Sequence, residues 1–538
     1  MSARTPIYLD YAATTPVDPA VALEIARCLS AADAQGNASS VTHAAGRAAA
    51  ALIAGARTQV AALIGAECEE IVFTSGATES NNLALLGVAR ANADRGRHLV
   101  TSRIEHKAVL DPARQLEKEG FHVSYLTPDA CGCIGPERVR TALRADTVVV
   151  SIMHVNNEIG TIEDIAAIGA ICRERAIPFH CDAAQSAGRI ALDVRGLPVD
   201  LLSLTAHKMY GPKGIGALYV SSAARGLIKP ILFGGGQERG LRPGTPATHQ
   251  IVGFGAAAAR AAADLASERE RLAALRERLW AGLEPLGGVH LNGAGAERAP
   301  HILNVSFEGV DGEALVAGLQ GLAVSTGAAC SSASGEPSYV LRALGRSTRL
   351  AESSLRFSLG RFTTAEEVDR AVREVHREVL RLRAVSPDAT IGVPRVEGSE
   401  LDSSANGPMV IADGTAAELA GGKIAALFRR LPAAGTFGDR DGTVLRGEAG
   451  GPQDEVWVSF HLLVQDDTVK DARFRARGCP HTLAIAAWLA ERLRGRRREE
   501  ALPAGPRAWA EELGVPAEKL GRLLVIEDAL RAALARWP

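Results

Sequence analysis

The sequence predicts an α/β protein with a mainly parallel sheet, followed by a small α+β domain. Between residues 9 and 261, short apolar runs alternate with amphipathic segments, which is typical of a parallel sheet covered by helices on both faces. The predicted strands are residues 71–73, 98–100, 147–153, 177–179 and 201–204. Amphipathic segments such as residues 162–175 lie between them. We therefore expect a large domain at residues 15–261.

A second unit of the first portion begins with a long charged helix, which we predict at residues 262–283. Further strands are predicted near residues 301–307 and 323–325, and a closing helix at residues 364–382. We expect these elements and residues 1–14 to form a small domain, so that residues 1–14 plus 262–384 complete a first portion of residues 1–384.

The composition changes after this helix. Residues 386–406 (SPDATIGVPRVEGSELDSSAN) are rich in Pro, Ser, Gly and acidic residues without a period, which indicates a linker, placed here at residues 385–410. Beyond it, residues 456–464 and 468–476 predict two antiparallel strands joined by a turn. The predicted helices that follow are residues 480–493, 503–513 and 516–535. This portion, residues 411–538, is expected to be a separate α+β domain, here called the tail.

Charge and composition exclude several classes of protein. Lys and Arg number 60 against 62 Asp and Glu, a net charge of -2, which argues against a dominant nucleic-acid surface. We expect no direct nucleic-acid partner. No apolar stretch is long enough to span a bilayer, and residues 1–16 lack the apolar core of a secretory signal. The eight cysteines are scattered without a paired framework, which favours a reducing compartment and a cytoplasmic location.

Two motifs at predicted strand ends suit an anionic cofactor. Residues 74–80 (TSGATES) lie between a strand and a helix, where backbone N–H groups and hydroxyls can bind a phosphate. Helix capping alone explains the same residues. In residues 179–185 (FHCDAAQ), Asp182 ends a buried strand, where a carboxylate is costly unless it is paired. That partner is either a helix N-terminus or the ring nitrogen of pyridoxal phosphate.

Two further loops carry candidate nucleophiles. In residues 204–214 (LTAHKMYGPKG), Lys208 or Lys213 could bond covalently to a carbonyl cofactor, and a solvated surface lysine is the alternative for both. The spacing does not separate the two lysines. In residues 325–334 (STGAACSSAS), Cys330 lies in a small polar loop, a setting typical of an exposed, nucleophilic thiol. An inert buried cysteine is the alternative.

Seven segments, in a fixed order, resemble one known family. They are YLDYAATTP (8–16), FTSGATESNN (73–82), EHKAVLD (105–111), MHVNNEIG (153–160), AHKMYGPKGIGALYV (206–220), GGGQERGLRPGT (234–245) and CSSASGEPSYVLRALG (330–345). Together they closely resemble the NifS/IscS-type cysteine desulfurases, and the resemblance runs from about residue 6 to residue 382.

The resemblance implies a fold-type-I, pyridoxal-phosphate-dependent homodimer that converts L-cysteine to L-alanine and keeps the sulfur as a persulfide. By the same resemblance, Lys208 bonds to the cofactor, His106 stacks on its ring and handles protons, and Cys330 attacks the substrate sulfur. The residues implied to bind the cofactor are Ala77, Thr78, Asn157, Asp182, Gln185, Thr205, Ala206, His207, Lys208 and, from the other subunit, Thr245. Asn157 and Arg356 are implied to orient the substrate, Arg356 through its carboxylate.

The resemblance also sets the expected partners. They are L-cysteine and a sulfur-acceptor protein, which is either an iron–sulfur scaffold or a thiolation factor. A selenocysteine lyase and an aminotransferase of the same fold are the rival enzymes, and the Cys330 loop weighs against the aminotransferase. A third alternative makes the whole chain an iron–sulfur scaffold, which predicts cluster assembly that depends on Cys479.

The tail, from about residue 414 to residue 537, resembles the IscU/NifU-type iron–sulfur scaffolds. The matching segments are DARFRARGCPHTLAIAAWLAERLRG (471–495) and IEDALRAAL (526–534). Cys479 matches the second cysteine of that family. The other two cysteine positions are lost, because residues 450–454 (GGPQD) replace a Cys-Gly-Asp and Arg522 replaces the last cysteine.

An iron–sulfur cluster normally needs about four protein ligands, and the tail offers Cys479, His481 and Asp454. Cys330 and Cys479 are the candidate cysteine ligands of a cluster. Three interpretations of the tail stay open. Cys479 accepts sulfur from Cys330, the tail is a degenerate docking or regulatory module, or it holds a metal or cluster shared between chains.

Overall fold

The computed structural model describes residues 5–30, 36–326, 337–387, 422–437, 443–451, 454–502 and 504–537. The strands of these ranges are β1 (Ile7–Tyr8), β2 (Ile71–Thr74), β3 (His98–Ser102), β4 (His122–Leu126), β5 (Thr147–Ser151), β6 (Phe179–Asp182), β7 (Leu201–Thr205), β8 (Gly216–Val220), β9 (Val289–Leu291), β10 (Ile302–Phe307), β11 (Leu322–Ala323), β12 (Ser325–Thr326), β13 (Ser354–Ser358), β14 (Thr443–Ala449), β15 (Trp457–Gln465) and β16 (Thr468–Arg477). The helices are α1 (Pro19–Ser30), α2 (Ala44–Leu63), α3 (Ala77–Ala91), α4 (Lys107–Lys118), α5 (Pro136–Ala142), α6 (Ile165–Glu174), α7 (Thr248–Leu283), α8 (Gly312–Gly318), α9 (Tyr339–Ala343), α10 (Thr348–Glu352), α11 (Ala365–Val385), α12 (Lys423–Arg430), α13 (Pro480–Leu493), α14 (Pro506–Leu513) and α15 (Leu520–Leu534).

A seven-stranded sheet, in the order β2-β8-β7-β6-β5-β3-β4, forms the centre of the first portion. Neighbouring strands are parallel except where β8 pairs with β2 and β7. Side chains of β2 alternate between two apolar clusters, with Ile71 and Phe73 in one and Val72 in the other, so both faces of the sheet are covered. The structure confirms the predicted fold class.

Some elements differ from the sequence prediction. Strands β4 and β8 were not predicted; β4 is a partly exposed edge strand, and β8 begins just after the predicted loop at residues 204–214. Helix α7 begins at Thr248, fourteen residues before the predicted start at residue 262. Residues 251–259 (IVGFGAAAA) are uniformly apolar or glycine, so no polar face marks an amphipathic helix there. They allow close packing on α2, since a Cβ at Gly255 would lie 2.6 Å from Ala56 Cα.

The small domain contains an antiparallel sheet in the order β12-β13-β10-β9, together with a parallel pair of β1 and β11. The predicted strand at residues 323–325 is therefore two short strands in different sheets. The closing helix α11 begins with a capping box, in which Thr364 and Glu367 each accept a backbone N–H of the other residue.

The tail is an antiparallel sheet in the order β14-β15-β16 with helices α12 to α15. The predicted helix at residues 480–493 is confirmed, and the helix predicted at 503–513 begins at Pro506 instead. The third predicted helix starts with a short 3-10 turn, Ala517–Lys519, before α15. Within the described ranges, no helix is long and apolar enough to cross a membrane.

The small domain and the tail share one continuous apolar core. It includes Phe307 and Val379 from the small domain and Phe428 and Phe460 from the tail. The large domain has separate clusters on the two faces of its sheet. The tail is therefore packed against the small domain, with α11 beside β16 and α8 beside α13.

Candidate active site

The carboxyl edge of the large sheet brings together most of the predicted site residues. Six of its strands run in one direction, so the loops that follow them meet at this edge, where α/β proteins usually bind ligands. The loop after β2 carries Ala77, the loop after β3 carries His106, the loop after β5 carries Asn157, β6 ends at Asp182, and the turn after β7 carries Lys208.

The loop between β2 and α3 forms an open cradle. Gly76 precedes α3 and has a φ of 154°, and a Cβ added there would meet only Thr205 Oγ1, at 4.0 Å. Thr205 Oγ1 is buried and has no hydrogen-bond partner among the described residues. The N-terminal N–H groups of α3 and this hydroxyl therefore suit an anionic group. Ala77 is half-buried and Thr78 is exposed.

Asp182 lies at the end of β6 and is only 6% exposed. Its Oδ2 accepts a hydrogen bond from Asn81 Nδ2 at 2.7 Å, and its Oδ1 accepts one from the backbone N–H of Ala184 at 2.9 Å. These two bonds fix the orientation of the carboxylate. The N–H of Ala184 corresponds to the capping alternative, and Asn81 is a partner that the sequence did not reveal.

His106 is the residue before α4, and its Nδ1 accepts the backbone N–H of Ala108 at 3.0 Å. In a neutral ring the proton therefore resides on Nε2. Burial lowers the pKa of His106, and the nearby Lys208 ammonium lowers it further. The charge of Lys208 also acts on Asp10, and the charges of both lysines act on His207, but Lys208 is half-buried whereas Lys213 is exposed. This geometry favours Lys208 over Lys213.

Arg356 lies on β13 beneath the same edge and is buried. One Nη donates to the carbonyl of Asn157 at 2.8 Å, and the other donates to Asp10 Oδ1 at 2.7 Å. Arg356 Nε and Asn157 Oδ1 are buried without a hydrogen-bond partner in the described ranges. A substrate carboxylate that binds here would thus contact the Arg356 guanidinium, whose orientation is fixed by its hydrogen bond to Asp10.

The remaining predicted site residues lie around this centre. Gln185 is buried and donates from Nε2 to the carbonyl of Ala12 at 2.9 Å. His207 Nδ1 lies 3.1 Å from Thr14 Oγ1, and burial lowers the pKa of His207 to about 4. Ala206 is buried, and Thr245 is exposed on a loop far along the chain.

Cys330 lies outside the described residues. The described residues on either side contact the site. Ser325 pairs in register with Arg356, and Ser338 donates from Oγ to Glu158 Oε2 at 2.5 Å. Tyr339 donates its hydroxyl hydrogen to the carbonyl of Glu105 at 2.7 Å. Ser325 and Ser338, described residues on either side of Cys330, therefore lie at this edge of the sheet.

Comparisons with known proteins agree with this geometry. The aminotransferase class-V family model matches residues 7–371. Cysteine desulfurase IscS of Shewanella baltica is 56% identical over 71% of this chain and 95% of its own length, and the Azotobacter vinelandii protein of that name gives the same figures. The chain belongs to the IscS-type cysteine desulfurases. Two solved structures are similar to this desulfurase. A NifS-like protein is 36% identical with a TM-score of 0.64, and the match covers 69% of this chain and 99% of that one. A structure titled SspA in complex with cysteine is 40% identical with a TM-score of 0.60, and the match covers 66% of this chain and 100% of that one.

The cofactor of this family, pyridoxal phosphate, fits the residues of this desulfurase. The cradle at Gly76 offers N–H groups and the unpaired Thr205 hydroxyl to a phosphate. Asp182 is a buried, oriented carboxylate of the kind that a pyridinium nitrogen requires. Lys208 supplies the amine. These are the donor types that the cofactor needs, gathered on one edge of the sheet.

Two buried carboxyl groups of the desulfurase were missed by the sequence reasoning. Burial raises the pKa of Glu105 to about 8 and the pKa of Glu158 to about 7. Glu105 accepts hydrogen bonds from Ser102 and Met153, and Glu158 accepts one from Ser338. Both lie within segments that the family shares, next to His106 and Asn157, but only the structure shows that they are buried.

The tail matches the NifU-like N terminal domain model over residues 423–538. Cys479 immediately precedes α13 and is fully buried. Among the described residues, one group of three or more metal-ligand types lies together, namely Glu313, Cys479 and His481, with ligand atoms within 4.8 Å of one another. Glu313 belongs to α8 of the small domain and was not predicted, whereas the predicted Asp454 is exposed and not part of the group.

An iron–sulfur cluster does not fit this group. Two cations, Lys519 and Arg522, already bind the Glu313 carboxylate. A cluster normally takes about four ligands, and thiolates predominate among them. The tail matches the NifU-like domain model, but this group of its described residues and Glu313 contains a single thiol.

Proposed function

We propose that this cysteine desulfurase removes the sulfur of L-cysteine as a persulfide on Cys330, releases L-alanine, and passes the sulfur to an acceptor protein. The observation that carries the proposal is the convergence of the open anion cradle, the oriented Asp182 carboxylate and Lys208 at one sheet edge. Ser325 and Ser338, described residues on either side of Cys330, lie at that same edge.

The first task of the chain is to hold the cofactor. In this proposal the N-terminus of α3 and the hydroxyls of Thr78 and Thr205 bind the phosphate, with His207 beside them. Asp182 faces the ring nitrogen, Gln185 the ring oxygen, and Lys208 bonds covalently to the cofactor. When bound, pyridoxal phosphate supplies an electron sink for bond breaking at the substrate α-carbon.

The second task is to orient the substrate. Arg356 is the buried cation that suits the substrate carboxylate, and Asp10 and the Asn157 carbonyl prevent its guanidinium from rotating. The buried, unpaired Asn157 Oδ1 lies on the same loop. His106 presents an Nε2–H, so it donates a hydrogen bond from that atom to the bound cofactor or substrate. Its lowered pKa keeps the ring neutral at pH 7.

The third task is sulfur transfer. The Cys330 thiolate attacks the sulfur of the bound cysteine, so an S–S bond forms while the bond between that sulfur and the substrate β-carbon breaks. The electron pair of the broken bond stays with the carbon, which is then protonated to give alanine. The product on the enzyme is a persulfide, ready for a thiol of an acceptor protein.

We also propose that the working unit is a homodimer in the cytoplasm. Several apolar side chains of α1, α2 and nearby loops are exposed. They are Leu23, Leu29, Val41, Leu52 and, at 89%, Phe233. Exposed apolar side chains in such number suit burial against a second copy of the chain. Thr245 is exposed as well, so it is accessible to the cofactor of that copy.

Mass spectrometry after incubation with L-cysteine tests the proposal. The full chain is expected to carry a persulfide on the Cys330 peptide and to form alanine. Cys330→Ala should keep the cofactor absorbance yet form neither product, and Cys131→Ala, which alters a half-buried cysteine in a loop of the large domain, should behave like the original chain. Sustained alanine formation by Cys330→Ala contradicts the assigned role. L-Selenocysteine in a parallel assay distinguishes a selenocysteine lyase.

A further inference from the structure

The tail meets the small domain at a cluster of opposite charges. Glu313, in the first turn of α8, binds Lys519 Nζ with both carboxylate oxygens, at 3.1 and 3.2 Å. Its Oε2 also lies 3.3 Å from Arg522 Nη1. These side chains are largely buried, so water screens their attraction only in part. Glu313 and Arg522 therefore tie the two portions of the chain together.

Cys479 is part of the same cluster. Its thiol is fully buried, lies 3.5 Å from Thr482 Oγ1 and is within 4.8 Å of a Glu313 carboxylate oxygen. Although burial alone would lower the pKa of Arg522, the adjoining Cys479 and Glu313 raise it above its usual value. The Arg522 guanidinium thus lies beside both the Cys479 thiol and the Glu313 carboxylate. A bound metal ion would contact the same two groups.

Charge argues against a divalent ion at this place. A second cation among Glu313, Cys479 and His481 would lie beside both Arg522 and Lys519 and be repelled by them. The positive charges of Lys519 and Arg522 already compensate the negative charge of Glu313 without a metal ion.

Contacts outside the cluster hold the two portions together as well. Arg381 of α11 donates to the carbonyl of Phe428 at 2.9 Å, and its guanidinium lies 4.7 Å from the centre of the Phe428 ring. Arg475 of β16 donates to the carbonyl of Ser386. The shared apolar core surrounds these polar contacts.

We propose that Arg522 takes the place of a metal ion in this pocket, so that the tail is an intramolecular clamp that closes Cys479 against the small domain. The clamp keeps Cys479 away from solvent and from dissolved iron. Among the three interpretations of the tail, this favours the docking module. Sulfur then leaves Cys330 for an external acceptor while the clamp is closed.

Alkylation of the full chain with iodoacetamide, followed peptide by peptide, measures the clamp. Cys479 should react far more slowly than the half-buried Cys68 in the same sample. Glu313→Gln removes both ion pairs and should raise the Cys479 rate by about tenfold through more frequent opening. Glu512→Gln, which removes the Arg492 ion pair within the tail, is the matched control and should change nothing. Equal rates in the original chain and Glu313→Gln would overturn the clamp.

Zinc retention tests the part played by Arg522. After dialysis against zinc alone, the original chain should retain no stoichiometric zinc, whereas Arg522→Cys should retain one ion through Glu313, Cys479, His481 and the new thiol. The proposal is overturned if the original chain retains zinc and Glu313→Gln does not. It is also overturned if a folded Arg522→Cys chain retains no zinc. Neither assay measures desulfurase turnover, so the proposed function stands or fails separately.

Discussion

Replacing Glu105 by Gln tests the electrostatics of the active-site edge most directly. Glu105 is fully buried between β3 and α4. Its Oε1 accepts hydrogen bonds from Ser102 at 2.8 Å and from the Met153 N–H at 3.0 Å, and Oε2 is buried without a partner in the described ranges. An amide keeps the accepting oxygen and is neutral at every pH. Glu105→Gln therefore mimics the protonated carboxyl.

The magnitude follows from the pKa. Burial raises the pKa of Glu105 from 4.5 to about 8, against the hydrogen bonds from Met153 and Ser102. Between pH 4.5 and about pH 8, the Glu105 carboxyl is ionised in the unfolded chain and protonated in the folded chain. The free energy of unfolding therefore falls as the pH rises, and it stops falling above about pH 8. The slope is about 1.4 kcal/mol per pH unit for one proton. Between pH 6 and pH 7.5 the original chain should lose about 2 kcal/mol relative to Glu105→Gln, or about thirtyfold in the opening constant.

Hydrogen exchange with mass spectrometry measures this difference. Exchange of peptides that cover β3 and α4 is compared between the original chain and Glu105→Gln at each pH, so that intrinsic exchange rates cancel. Contributions from Glu158 and Glu163, whose pKa values burial raises to about 7, also cancel because both proteins contain them. Glu117→Gln, on the exposed side of α4, should show no pH-dependent difference. A ratio independent of pH would refute the reasoning and show an ionised Glu105.

Three further variants test the cofactor and substrate contacts. Lys208→Ala should lose the borohydride-reducible bond to the cofactor and Lys213→Ala should keep it, and the opposite result by peptide mapping would exchange their roles. Gly76→Ala places a Cβ in a backbone conformation with a φ of 154°. It should weaken cofactor binding about tenfold in a fluorescence titration, and unchanged affinity would contradict the cradle. Arg356→Lys loses the planar fork and should raise the KM for L-cysteine about tenfold with a smaller change in kcat, whereas an unaltered KM excludes the carboxylate contact.

The sequence predicted those features that local patterns encode. The helix at residues 480–493 was found with its limits because Pro480 is suited to its first position and an apolar run follows. Asp182 was singled out because it ends a buried apolar run, whereas the spacing left Lys208 and Lys213 open and only the family resemblance favoured Lys208. The start of α7 was missed because residues 251–259 are uniformly apolar or glycine and lack the polar face that marks an amphipathic helix, although they pack closely on α2.

Contacts between distant segments could not be predicted in this way. The pattern around Glu105 is that of an ordinary turn before a helix, and its raised pKa arises from burial by β5 and neighbouring loops. Glu313 and Arg522 are 209 residues apart, and no pattern in either segment predicts a contact with the other. A pairing of this kind depends on how two domains dock, which the local periodicity of neither domain determines.

The exchange of a cysteine ligand for Arg522 changes what can regulate the tail. A metal ion leaves or enters with metal supply and with chelators, and its loss releases every ligand together. A guanidinium is attached to the chain and keeps its charge at all physiological pH values, so it cannot be removed in this way. The clamp can open at Glu313 only if this carboxylate is neutralised, if salt screens its ion pairs with Lys519 and Arg522, or if another protein competes for the small domain. A tail held in this way responds to salt and to partner proteins rather than to metal supply.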